Sequence, residues 1–153
     1  MKKQIVEDKD FLHQKSKRID MCSYAEEKRI KTILHDMKDT IAMSPKAIGL
    51  AAPQIGELDR IFIFLRYPSY KRQVVINPEI LEKLGKPENL NEECLSCPGQ
   101  TIENIPRFKK IRVKYTNEDG LSIIETLTGI DAVVYQHELD HLDGIIITDY
   151  LPS

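Results

Sequence analysis

His137 and His141 stand four residues apart around Glu138, in a stretch where Ile130, Val133 and Val134 recur with a helical period. On a helix, residues i and i+4 lie one turn apart on one face. The pattern therefore predicts a helix opening near Thr128 and closing at Gly144, with both imidazoles on its apolar stripe. Two histidines on a solvated helix face are the plain alternative. The stripe speaks against it, because a buried imidazole needs a partner and a metal ion is one. Two imidazoles so placed can bind one ion. Glu138 then sits where it reaches a water on the metal rather than the metal itself, the position of a general base in hydrolysis. Asp140 is a looser candidate for orienting an imidazole, since its spacing faces neither histidine.

Two histidines do not complete a catalytic site, which needs three protein ligands and an open position. No Glu or His follows His141 at the spacing that common zinc proteases use. Cys94 and Cys97, in Glu92-Glu93-Cys94-Leu95-Ser96-Cys97-Pro98-Gly99, are the candidates for the third ligand. The same residues allow a closed structural zinc site of Cys94, Cys97, His137 and His141. Residues 98–136 separate its halves, where a zinc finger has roughly a dozen residues. In an extended segment the two thiols would point to opposite faces, and Glu138 would have no purpose in a closed site. A redox Cys-x-x-Cys motif is weaker still, because it needs a βαβ setting.

The rest of the sequence describes an ordinary globular chain. It has 153 residues, 41% hydrophobic and 30% charged, with a formal net charge of −2. That length suits a single domain over 1–153, and the charge balance gives no footprint for nucleic acid or an anionic membrane. No apolar run approaches the ~20 residues of a membrane span, and the N-terminus lacks the apolar core of a signal peptide. The expectation is a cytoplasmic monomer with reduced cysteines. Residues 1–22 read as a loose polar segment. Ser23-x-x-Glu26 reads as a capping box that opens an amphipathic helix through Ile30, Ile33, Leu34, Met37 and Ile41, which Pro45 ends. Strands are predicted at Arg60–Leu65, Gln73–Ile76, Ile80–Leu84, Ile111–Tyr115 and Leu121–Leu127, the last two joined by a hairpin at Asn117, Asp119 and Gly120. The order helix, strands, helix predicts an α+β fold: a mainly antiparallel sheet, an N-terminal amphipathic helix and a central helix carrying the two histidines.

Three segments together resemble one family, the peptide deformylases. Ile48-Gly49-Leu50-Ala51-Ala52-Pro53-Gln54 is similar to its first motif, Glu92-Glu93-Cys94-Leu95-Ser96 to its second, and Gln136-His137-Glu138-Leu139-Asp140-His141 to its third. Their order and spacing, with Val75-Ile76-Asn77-Pro78 between, extend the resemblance over most of the chain. The resemblance implies a metal held by Cys94, His137 and His141, usually Fe2+, with Zn2+, Ni2+ or Co2+ able to take the site. It implies removal of the formyl group from the formylmethionine of nascent peptides, with Glu138 as the proton carrier. It also implies that the Gln54 amide and the Leu95 backbone N–H stabilise the oxyanion. Ile48, Gly49, Glu93, Val133 and Val134 fall where the family binds substrate, although Val133 and Val134 read equally well as core.

The sequence departs from the family pattern at two positions. Ala47 replaces a glycine, which costs about 1 kcal/mol if that residue needs a positive φ. Glu93 replaces the glycine before the cysteine, where a carboxylate would charge the edge of the peptide cleft or else swing into solvent. Many members continue into a C-terminal helix that contacts the ribosome; the given sequence ends at Ser153, and the ribosome contact stays an open expectation. Beside an active deformylase, two readings stay open: a deformylase-like protein with altered substrate or little activity, and a structural zinc module.

Overall fold

The computed structural model describes residues 1–152. The elements run in the order α1 (Lys9–Leu12), α2 (Tyr24–Ala42), β1 (Gly49–Ala51), a 3-10 turn (Ala52–Ile55), β2 (Ile61–Arg66), β3 (Lys71–Leu84), β4 (Glu88–Glu92), β5 (Ile102–Arg107), β6 (Lys110–Thr116), β7 (Ser122–Thr128), α3 (Ile130–Leu142) and a last 3-10 turn (Ile147–Tyr150). Five strands form one sheet in the order β1-β2-β3-β6-β7, while β4 and β5 pair separately. Every strand pairing is antiparallel. The fold is the α+β class that the sequence predicts. No helix among the described residues is long and apolar enough to cross a membrane.

The sheet is buried on both faces at β2, which explains the unbroken apolar run of that strand, whereas β6 alternates buried and exposed residues. Successive side chains alternate. Ile61 and Ile63 pack with the α2 stripe of Ile30, Ile33, Leu34, Met37 and Ile41. Phe62 and Phe64 pack on the other side with Ala132, Val134 and Tyr135 of α3. The sheet is thus clamped between the N-terminal helix and the helix that carries the histidines. Asn117 closes the β6–β7 hairpin, its side-chain oxygen accepting from the N–H groups of Asp119 and Leu121 at 2.9 Å.

Four expectations need correction. Ser23 caps α2 by accepting from Glu26 N–H at 3.3 Å, but the Glu26 carboxylate pairs with Arg29 at 2.7 Å instead of turning back, so only half the capping box forms. The two strands expected around Asn77-Pro78 are one long β3. The chain passes through a bulge there, with Asn77 at φ 52, a conformation asparagine tolerates better than most residues. Residues 1–22 are not loose. Both ends of the buried Asn77 amide bond the backbone of Ile19 at 2.8 and 2.9 Å, Val6 N–H donates to the Gln54 carbonyl, Ser16 N–H donates to the Leu142 carbonyl, and Leu12 and Ile19 are buried. Finally, β4 and β5 have no counterpart in the sequence reading. Their solvent-facing residues are polar, and Pro106 is tolerated because β5 pairs on one side only.

Gly144 marks the close approach between the N-terminal segment and the end of α3. It has φ +75°, and a Cβ there would lie 2.4 Å from the His13 carbonyl oxygen. Gly120 has a similar φ of +81° but open space around it. Gly144→Ala is therefore expected to destabilise the protein by about 3 kcal/mol and Gly120→Ala by about 1 kcal/mol, read as the shift in urea midpoint at constant m-value. Equal losses would show that the N-terminal segment does not press on α3.

Candidate metal centre

Helix α3 turns His137, Glu138 and His141 toward the loop that follows β4, and that loop brings Cys94 to them. One ligand atom from each of Cys94, His137 and His141 lies within 4.8 Å of the others, and Cys94 Sγ is 3.2 Å from His141 Nε2. A tetrahedral site with bonds of about 2.0–2.3 Å holds its donors roughly 3.5 Å apart, so the three are positioned to share one ion. Cys97 is not in this group among the described residues, which argues against the closed four-ligand site. The expectation that the two thiols diverge also fails. Residues 94–97 form a turn closed by Cys97 N–H donating to the Cys94 carbonyl at 3.0 Å, and both cysteines are buried in one cluster.

Each donor is prepared by its neighbours. His137 Nδ1 contacts Glu92 Oε1 at 2.7 Å. Burial pushes the Glu92 carboxyl up, but hydrogen bonds from Arg107 and His137 outweigh it and draw it down to about 2. A carboxylate only accepts, so a proton sits on Nδ1, and Nε2 is the nitrogen left to face the centre and to give up its own proton to an incoming cation. For His137 itself, burial works to lower the imidazole, and Glu92 and Glu138 overcome it and raise it. Burial, reinforced by the His137 charge, holds His141 well below the ordinary histidine range, so its ring is neutral. The Cys94 thiol is raised by its hydrogen bond with Cys97, by burial and by the Glu138 charge. A cation between the thiol and the two imidazoles reverses that, because a coordinating thiol is deprotonated outright.

Behind Glu92 lies a charged chain that the sequence reading did not find. Arg107, only 3% exposed, bonds Glu92 twice (2.7 and 2.9 Å) and Asp140 once (2.7 Å). Asp140 also accepts from the Tyr150 hydroxyl at 2.7 Å. Asp140 thus faces neither histidine, as its spacing implied, yet it steadies one through Arg107 and Glu92. Arg107 carries no sequence signal, since it closes an otherwise unremarkable strand. Glu92 had one: it stands two residues before the candidate thiol.

Glu138 is 2% exposed, and burial pushes its carboxyl up to about 7. Its Oε1 is 3.8 Å from His137 Nε2, and its Oε2 has no partner. A buried carboxylate oxygen without a donor is a site for a cation or a water. Together with the thiol and imidazole donors, it makes these residues a fit for a metal ion. Gly49 lets Glu138 sit there, because a Cβ on residue 49 would come within 3.0 Å of the Glu138 side chain. Gln54 is held in one orientation: its Oε1 accepts from Ala51 N–H at 2.9 Å, and its Nε2 points to Ser96 Oγ (3.2 Å) and Cys94 Sγ (3.5 Å).

Gln54, Glu92, Cys94, Cys97, His137 and Glu138 line a cleft of about 990 Å³, together with Ile48, Gly49, Glu93, Leu95, Val133 and Val134. Leu95 packs its side chain into the α2 core. Val134 does double duty as core and cleft wall. Ile48 is half exposed at the rim. Glu93 is exposed there, its Oε1 accepting from the Thr101 hydroxyl at 3.1 Å. Ala47 is not among the residues with positive φ, so alanine costs nothing at that position.

A sequence model of the family described as polypeptide deformylase matches residues 2–153. The peptide deformylase of Thermus thermophilus is 40% identical over 138 residues, covering 81% of this chain and 71% of that protein. The crystal structure of peptide deformylase from Thermotoga maritima superposes with a TM-score of 0.87 at 35% identity, covering 100% of this chain and 99% of that one. A probable peptide deformylase from Synechococcus phage S-SSM7 superposes with a TM-score of 0.85 at 32% identity, covering 99% of each chain.

Glu92→Gln removes the charge that fixes the His137 proton while keeping the shape. Nickel or cobalt affinity is expected to fall about 10–100-fold, measured by titration calorimetry; unchanged affinity would free His137 from Glu92. Because Glu92 is depressed in the fold, its share of stability is present above pH 4.5 and fades as pH falls toward about 2. Acid unfolding should therefore be shallower in the variant across that window.

Proposed function

The chain belongs to the polypeptide deformylase family, and from that membership we propose that Cys94, His137 and His141 hold its metal while Glu138, Gln54 and Leu95 carry the reaction. Members are metal-dependent hydrolases that take the formyl group off the N-terminal formylmethionine of newly made proteins. The observation that carries the assignment is the convergence of one thiol and two imidazoles beside the unpartnered carboxylate of Glu138. We assign ferrous iron as the resident ion, with zinc, nickel and cobalt accepted by the same donors, since one thiolate and two imidazoles suit all four.

When bound, the ion supplies Lewis acidity that makes a water nucleophilic at neutral pH. Glu138 takes a proton from that water as its oxygen adds to the formyl carbon. It later delivers the proton to the departing amine nitrogen as the C–N bond breaks, leaving formate and a free methionine terminus. A carboxyl poised near neutrality suits both transfers. The negative charge that develops on the formyl oxygen receives hydrogen bonds from Gln54 Nε2 and the Leu95 N–H. Because Ala51 N–H anchors the other end of the Gln54 amide, the donor is aimed before substrate arrives. Ile48, Gly49, Glu93, Val133 and Val134 are assigned to the formylmethionine side chain and the peptide that follows it. The partners are formylated nascent peptides, met in the cytoplasm by a monomer without direct contact to nucleic acid.

Release of formate from formyl-Met-Ala-Ser by anaerobically iron-loaded protein tests the activity. Glu138→Gln is expected to keep its metal and lose about 10²–10⁴-fold in kcat, and Gln54→Leu about 10²–10³-fold. Cys94→Ser should lose the metal while Cys97→Ser retains it. Equal metal loss in both cysteine variants would restore the closed four-ligand site, and full turnover by metal-loaded Glu138→Gln would remove the base.

A further inference from the structure

Cys97 takes no part in this chemistry, yet it is buried in the same cluster as Cys94, against Ile102, Ile105 and Ile147. The hydrogen bond from Cys97 N–H to the Cys94 carbonyl closes a four-residue turn, which holds the two Cα atoms within about 7 Å. A disulfide spans Cα separations of about 4.4–6.8 Å. The turn also keeps both side chains in one buried cluster. Both cysteines line the cleft, so an oxidant small enough to reach one reaches the pair. The third cysteine, Cys22, is exposed and lies before α2.

We propose that Cys97 is a resolving thiol: hydrogen peroxide that oxidises Cys94 is answered by closure of a Cys94–Cys97 disulfide, which a dithiol reductant reopens. In the first step the Cys94 sulfur attacks one peroxide oxygen and the O–O bond breaks. Cys94 becomes a sulfenic acid, and the other oxygen leaves with a proton as water. In the second step the Cys97 sulfur attacks that sulfur, the S–S bond forms, and the hydroxyl departs with the Cys97 proton as a second water. Two electrons from two thiols thus reduce one peroxide to two waters. A dithiol returns both thiols by exchange and is itself oxidised to a disulfide. The closed pair keeps Cys94 off the irreversible path to sulfinic and sulfonic acid. Disulfide formation needs only the two thiols; its effect on metal binding rests on the assignment of Cys94 as a ligand.

The test treats metal-free wild type, Cys97→Ser and Cys97→Ala with hydrogen peroxide raised stepwise from one to five equivalents and then alkylates. Intact mass, a peptide map and nickel content before and after dithiothreitol are the readouts. Wild type is expected to lose the mass of two hydrogens, to alkylate at Cys22 alone, and to regain full nickel binding after reduction. Both variants are expected to hold two or three added oxygens at Cys94, with recoverable nickel binding about tenfold lower. Equal accumulation of Cys94 sulfinic or sulfonic acid in wild type and variants would overturn the proposal, as would a disulfide to Cys22. A Cys94–Cys97 disulfide that leaves nickel binding intact would support the redox inference and remove Cys94 from the ligand set.

Discussion

The Arg107 guanidinium is the charge around which the centre is assembled. It is buried, and it joins the end of β5 to the end of β4 through Glu92 and to α3 through Asp140. A buried cation left without its carboxylates would cost about 3–5 kcal/mol, so these three elements are bound to one geometry. His137 inherits its proton position from that geometry, because Glu92 holds it and Arg107 holds Glu92. Tyr150 reaches the same carboxylate of Asp140, which ties the last turn of the chain into the network. The histidine nearest the cleft is thus oriented by residues from four separate stretches of sequence.

A second constraint works by shape. The Glu138 side chain lies 3.0 Å from where a Cβ on residue 49 would be, and β1 leads from Gly49 through a short turn directly to Gln54. That turn also receives the N-terminal segment, through the Val6 N–H on the Gln54 carbonyl. The two sides of the cleft are therefore set by different means. Ion pairs set the His137 side, and backbone hydrogen bonds with close packing set the Gln54 side.

What the sequence made legible follows from local rules. The α2 stripe, the Asn117 hairpin and the imidazole pair on α3 are patterns within ten or so residues, and the structure contains all three. Cys94 as the thiol beside the imidazole pair was legible because only two cysteines stood near each other and one matched a motif. The misses share a different cause. Arg107 joins its carboxylates across the fold, and nothing in Ile102–Arg107 reports a partner in α3. The N-terminal segment is polar in composition but held by backbone hydrogen bonds, which composition does not register. Asn77-Pro78 reads as a turn locally, whereas the Ile19 backbone keeps the asparagine inside a continuous strand.

The charges around the centre bear on why its donors are buried at all. Asp140 and Glu92 together balance Arg107 and leave one negative charge beside His137. Burial then presses both Glu138 and Cys94 toward their neutral forms. Each gives up its proton readily only when positive charge arrives nearby. Cation binding and proton release are therefore one equilibrium at this centre. An exposed cysteine and glutamate would already be partly or wholly ionised and solvated, so a cation would have to displace their water. Here the low dielectric makes the incoming charge the cheapest partner for both groups. The same burial that makes Glu138 a carboxyl poised near neutrality thus also makes the pair of Cys94 and Glu138 receptive to a divalent ion.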